Sequence, residues 1–213
     1  MAQFDEAVIR LREGILAGAY VPGDKLGAAE VAAQLGMSRT PVREAFRILS
    51  MEGLVELTAN RGARVRAWPH EELDAVFETR LRLEGFACRR AAERVTLADV
   101  DKLQSLAEQI VAAGRQESVE LVQQLNSTFH NTILSLADSN TITTAMSGVI
   151  HAAVLNRTRQ SYDAESQRRS DGHHFEIVAA LRAGDGQWAE STMHSHLLSA
   201  RASLMGPRRR LEP

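Results

Sequence analysis

Between Gly53 and Trp68 the apolar residues of this chain change their period. Val55 and Leu57 alternate with Glu56, the triplet Asn60, Arg61 and Gly62 offers a turn, and Ala63, Val65 and Ala67 alternate with Arg64 and Arg66. A period of two around a glycine-containing turn marks a β-hairpin. On both sides of this stretch the apolar residues recur every three or four positions, which is helical spacing. An isolated hairpin is marginal in water. It must therefore pack on neighbouring helices, which confines the chain to a mainly α fold with one small sheet.

Ahead of the hairpin, Phe4, Val8, Leu11, Ile15 and Leu16 form an amphipathic stripe that stops at Gly18 and the Val21, Pro22, Gly23 turn. A second helix spans about 28–35, with Val31, Ala32 and Leu35 inward, and Gly36 ends it in a tight turn. Ser38 or Thr40 can cap a third helix that runs to about Ser50, with Pro41 tolerated in its first turn. Its inner face is Val42, Ala45, Phe46 and Leu49.

Beyond Trp68 no strand pattern returns. Helices are predicted near 71–94, 96–113, 117–137, 140–161, 167–184 and 186–204, with Thr96 and Asp99 spaced as a capping box and Asn140 as a further cap. The expected organisation is thus residues 1–67, residues 68–206 as an all-α bundle, and a basic tail at 207–213. A chain of 213 residues with 44% hydrophobic and 24% charged residues can bury a core in each part. The N-terminus has acids where a secretory signal needs bases, and no stretch reaches the roughly 20 apolar residues that cross a bilayer. A cytoplasmic protein with no membrane partner is expected. Cys88 is the one cysteine, which excludes an intrachain disulfide and reads as a small buried hydrophobe.

The net charge of −2 does not suit a protein that coats nucleic acid. The local balance differs. From Leu35 to Ala67, Arg39, Arg43, Arg47, Arg61, Arg64 and Arg66 face only Glu44, Glu52 and Glu56. Arg39 and Arg43, four apart, share one exposed helical face from which guanidinium groups can reach guanine edges or phosphates. Two short helices joined at a glycine, a third with a polar and basic start, and a basic hairpin describe a winged helix-turn-helix that binds double-stranded DNA.

The run LGMSRTPVREAFRILSMEGLVELTANRGARV, Leu35 to Val65, resembles the DNA-binding domain of GntR-type regulators. That resemblance places Ser38, Arg39, Thr40, Val42 and Arg43 at recognition-helix positions and Asn60, Arg61 and Gly62 at the wing tip. Gly27, Ala28 and Ala29 stand where relatives often carry an acid or an arginine, so a phosphate contact there is not expected.

In the second part, Val122, Leu125, Phe129 and Ile133 define one helix face, and Asn126 and His130 lie on it four residues apart. His174 aligns with Ile177, Val178 and Leu181, and His196 with Ala189, Thr192 and Met193. Inward histidines usually pair by hydrogen bonds. Three of them with an amide oxygen are costly to bury unpaired, and one shared divalent metal satisfies them together. His173 and His194 project off these faces and are expected in solvent. Arg80 lies three residues beyond Phe77 and points towards the core, or else pairs with Glu84 at the surface for only a few tenths of a kcal/mol; the pattern leaves both open.

The spacing of Asn126, His130, His174, Met193 and His196 resembles the FCD effector domain of the FadR subfamily, in its shorter six-helix, VanR-like branch. The resemblance implies a homodimeric repressor of operator DNA, with metal ligands Asn126, His130, His174 and His196 and a small carboxylate effector beside Arg80, with Arg157 as a second candidate. Zinc suits these ligand types, and nickel, manganese or iron also fit. Asn126 is a neutral amide where many relatives have a carboxylate. Two rivals remain: a metal-dependent hydrolase using the three histidines, and a constitutive DNA-binding protein with a structural metal. Against the hydrolase, no HExxH is present and Glu176 is predicted to lie off the His174 face.

Overall fold

The computed structural model describes residues 3–58, 62–116, 118–147, 158 and 161–206. It is mainly helical and divides into two compact units that meet in sequence between Pro69 and His70.

The N-terminal unit contains α1 (Gln3–Leu16), β1 (Lys25–Leu26), α2 (Ala28–Leu35), α3 (Arg39–Met51), β2 (Val55–Thr58) and β3 (Gly62–Val65). Gly36 takes the left-handed conformation (φ 69°) that ends α2, and its N–H bonds back into the helix. Ser38 occupies the N-cap position of α3 with extended backbone, but its side chain makes no capping hydrogen bond. The sheet is antiparallel in the order β1-β3-β2, with Lys25 opposite Arg64 and Val55 opposite Val65. β1 escapes a sequence reading because two residues carry no period. Val55 is buried, whereas Leu57 is 53% exposed, so the alternation in β2 buries one residue only. Ala7, Leu11, Val31, Val42, Phe46, Leu49, Leu54 and Val65 form the core. Arg12 grips Glu52 with two hydrogen bonds, at 2.9 and 2.5 Å, which ties α1 to the end of α3.

The C-terminal unit contains α4 (His70–Ala92), α5 (Leu97–Arg115), α6 (Val119–Leu136), α7 (Asn140–Ser147), α8 (Ala164–Arg182) and α9 (Gly186–Met205). The helix predicted near 140–161 is described as far as Ser147. Ser139, not Asn140, caps α7: its Oγ accepts from Ile142 N at 3.4 Å, and Asn140 is already helical. Thr96 and Asp99 form the expected reciprocal capping box of α5. α8 starts earlier than its apolar pattern suggests because the Asp163 carboxylate accepts from Ser166 N at 2.7 Å. Cys88, Leu103, Ile110, Phe129, Ile133, Ile177, Leu181, Met193 and Leu197 fill one continuous core, a few kcal/mol of transfer free energy for each large side chain. Arg90 reaches across from α4 to cap α6, its Nε donating to Ala137 O at 2.9 Å.

Candidate functional sites

In the N-terminal unit, α3 is a narrow amphipathic helix. Val42, Ala45, Phe46 and Leu49 fall inward, which forces Ser38, Arg39, Thr40, Arg43 and Arg47 to solvent. The three arginines line a groove of about 530 Å³ with Ala28, Thr58 and Gly62, between the start of α2, α3 and the hairpin. Arg47 shares its charge with Glu44 at 3.2 Å, an exposed pair. Val42 has no exposed surface. The expectation that it contacts a ligand is corrected: β-branched Val42 lies on the stripe that packs α3 onto the core, so it supports the helix from behind. Gly62 has φ 104°, and a β-carbon there would collide with the carbonyl oxygen of Leu26. The hairpin can cross β1 only because this residue is glycine. Arg64 is held against the turn, donating to Gly23 O at 2.8 Å. Asn60 and Arg61 lie outside the described residues.

In the C-terminal unit, α6, α8 and α9 each bring one imidazole to a common point. His130, His174 and His196 are 4%, 1% and 4% exposed, and one ring nitrogen from each lies within 4.8 Å of the others. Ring centroids are 4.7 Å apart for His174 and His196 and 5.2 Å for His130 and His196. Nε2 of His130 and Nδ1 of His196 are buried without a hydrogen-bond partner. Burial, reinforced by the neighbouring imidazoles, holds the His196 pKa well below its ordinary value, so this ring is neutral with a lone pair to offer. Buried imidazole nitrogens converging from three helices, that of His196 neutral, fit a divalent cation. Asn126 stands one turn before His130 and is half-buried.

Arg80 is inward, at 4% exposure, and paired, its Nε donating to Glu84 at 2.6 Å. Of the two sequence readings, the inward arginine holds and the partner Glu84 holds, but the pair is not at the surface: Leu73, Phe77, Arg80 and Glu84 follow one helical stripe and the ion pair is buried with it. The other carboxylate oxygen of Glu84 meets Nδ1 of His130 at 2.6 Å. Burial pushes the Glu84 pKa up, but the charges and hydrogen bonds of Arg80 and His130 outweigh it and hold the group at about 2. Sequence reasoning missed Glu84 as a site residue. The signal was its place four residues beyond an inward arginine.

Two further corrections concern the other histidines. His173 is only half-exposed, its ring lies 5.9 Å from that of His196, and its Nδ1 is buried without a partner. His194 bonds through Nε2 to Leu81 O at 2.9 Å. Both rings are drawn in because α9 packs closely on α4 and α8, which widens the buried faces beyond an apolar stripe. Glu176 is exposed and accepts from Trp188 Nε1 at 3.0 Å, and Glu84 is fully engaged, so neither offers a general base. Burial pushes the Cys88 thiol up, away from a thiolate ligand. Arg157 lies outside the described residues.

Residues 4–65 match the bacterial regulatory proteins of the gntR family, and residues 75–199 match the FCD domain. The HTH-type transcriptional repressor RspR of Escherichia coli is 30% identical over 190 residues, 88% of this chain and 82% of that one. The Nta operon transcriptional regulator of Aminobacter aminovorans is 29% identical over 76% of this chain and 75% of its own. Among solved structures, a GntR transcriptional regulator from Rhodococcus sp. RHA1 superposes with a TM-score of 0.71 at 27% identity, covering 98% of this chain and all of that one. E. coli McbR/YncC shares the fold, with a TM-score of 0.76 at 24% identity over 96% and 98% of the two chains. No helix among the described residues is long and apolar enough to cross a membrane. The exposed arginine face and these matches agree: the chain belongs to the GntR family, with an FCD domain, and like its relatives is a DNA-binding transcriptional regulator rather than an enzyme.

Proposed function

We propose that this chain is a cytoplasmic repressor whose operator affinity is set by a small carboxylate bound beside a divalent metal in the C-terminal part. In this reading residues 1–67 bind DNA, residues 68–206 form the metal-binding, effector-binding and dimerisation domain, and 207–213 are a basic tail. The observation that carries it is the convergence of three buried imidazoles with ligand nitrogens within 4.8 Å.

His130, His174 and His196 hold the ion, with Asn126 adding an amide oxygen. Zinc is the occupant by ligand type, nickel, manganese or iron being the competitors. The bound ion supplies a positive centre with open positions for a carboxylate oxygen. Arg80 places a second positive group one salt bridge away, suited to the other end of an acid. A homodimer sets two α3 helices into successive major grooves of a pseudo-palindrome, where Arg39 and Arg43 reach base edges or phosphates, Ser38 and Thr40 add hydroxyls, and Asn60, Arg61 and Gly62 form the wing tip. An effector that binds one arrangement of the helical domain better than another shifts the spacing of the DNA-binding halves.

Metal analysis of purified protein beside the His130→Ala/His174→Ala variant, followed by operator titration with a panel of small carboxylates, tests this reading. One ion per chain lost in the variant, and an acid that changes operator affinity, is the expected result. Metal retained without any response to acids would indicate a constitutive DNA-binding protein with a structural ion.

A further inference from the structure

Glu84 joins two groups that sequence reasoning treated separately. Its Oε1 accepts from Arg80 Nε at 2.6 Å and its Oε2 meets His130 Nδ1 at 2.6 Å, with Arg80, Glu84 and His130 at 4%, 1% and 4% exposure. An ionised carboxylate only accepts hydrogen bonds. The ring nitrogen that faces it must carry a proton, so the neutral form of His130 is the Nδ1–H tautomer, with its lone pair on Nε2. Nε2 is also the His130 atom that is buried without a partner. The guanidinium fixes the carboxylate from the other side, so the ring has one orientation. Among the described residues the hydrogen bonds of Arg80 run through Nε, which leaves its Nη donors for an anion.

We infer that Glu84 is the positioning residue of the imidazole cluster: it selects Nε2 of His130 as the nitrogen presented to His174 and His196, and it ties that choice to Arg80. The inference rests on the metal reading above and deepens it. One carboxylate stands between the metal ligand and the guanidinium that meets an effector, so a change in how Arg80 is engaged is felt at His130. A carboxylate that orients a ligating imidazole commonly changes metal affinity 10- to 100-fold when removed.

The test uses the full chain with Zn²⁺ as the probe, its affinity measured by competition with a chromophoric chelator. The variants are Glu84→Gln, Arg80→Gln/Glu84→Gln and His174→Ala, and long-range ¹H–¹⁵N spectra of metal-free protein report the His130 tautomer. In Glu84→Gln, Arg80 claims the amide oxygen and the NH₂ group faces Nδ1, which moves the ring proton onto Nε2. We expect Zn²⁺ to bind about 10- to 100-fold more weakly there, with the Nε2–H tautomer visible. The double variant leaves no buried charge alone, so it answers the question if the single variant fails to fold; it too should weaken Zn²⁺ and lose the pure Nδ1–H state. Affinity within about twofold of the parent in both variants, with His130 still in the Nδ1–H form, overturns the inference. The His174→Ala arm judges the metal reading separately: parental Zn²⁺ affinity there refutes the metal site, and the tautomer shift alone then decides the role of Glu84.

Discussion

The imidazole of His194 occupies the space that a side chain on Gly85 would need: a β-carbon there would lie only 2.8 Å from His194 Cδ2. The ring cannot simply step aside, because its Nε2 bonds the Leu81 carbonyl at 2.9 Å, one turn earlier on the same helix. Gly85 therefore sets how closely α4 and α9 approach. Alanine ordinarily stabilises a helix interior by about 0.5–1 kcal/mol over glycine. Here Gly85→Ala should destabilise by a net ~1–2 kcal/mol, since overpacking costs about 1–3 kcal/mol. Urea unfolding followed by far-UV circular dichroism measures it, and Gly85→Ala/His194→Ala should recover most of the loss. A Gly85→Ala protein as stable as the parent would show that the ring relocates freely.

Gly62 presents a different kind of constraint. Its φ of 104° and the nearby Leu26 carbonyl leave no room for a β-carbon, and both obstacles are backbone. Backbone strain of this sort costs about 1–3 kcal/mol. Gly62→Ala should weaken the pairing of β1 with β3 and reduce operator binding without changing the C-terminal unit. Backbone amide exchange at Lys25 and Leu26 is the sensitive readout, because these strand residues stand opposite Arg64 and Ala63.

On α3 the outer and inner faces predict opposite phenotypes. Arg39→Ala or Arg43→Ala should cost about 1–3 kcal/mol of operator affinity where the side chain reads a base, or lower the salt slope by about 1 where it meets a phosphate, with stability unchanged. Val42→Ala should do the reverse, losing stability from the core with little direct effect on sequence preference. Titrations at several salt concentrations, paired with unfolding curves, separate the two.

The capping box of α5 predicts an acid-side effect. Asp99 accepts from the Thr96 hydroxyl at 2.6 Å and from Thr96 N at 3.0 Å, and these hydrogen bonds lower its pKa from 3.8. A carboxyl with a lower pKa in the folded state contributes stability above its unfolded pKa and loses that contribution as pH falls through the folded value. The stability difference between the parent and Asp99→Ala should therefore shrink as pH is taken from about 4 towards about 2. A difference that stays constant over this range would assign the cap to the Thr96 hydroxyl alone.

Elements with a long period were legible in the sequence: α3 and its inner stripe, the hairpin, and the three inward imidazoles are where apolar spacing put them. What stayed hidden had no period to read. β1 is two residues long and exists only because β3 lies beside it. His194 looked solvent-facing because Gly85, far away in sequence, makes the pocket that receives it. Glu84 entered the sequence reading only as a surface partner of Arg80, and only packing reveals that the pair is buried. Burial converts a routine pair into part of the site.

Each compact unit carries its own tryptophan. Trp68 is 6% exposed, with the Arg66 guanidinium carbon 3.9 Å from its ring centre, whereas Trp188 is 39% exposed and bonded to Glu176. A buried indole emits at shorter wavelength than a wetted one, and a stacked cation alters its yield. The two fluorophores thus serve as built-in, separately addressable reporters: with Trp188→Phe the remaining emission follows the N-terminal half alone, and with Trp68→Phe the C-terminal half alone. Melting each half under its own optical signal would reveal whether zinc or a carboxylate added to one is sensed by the other.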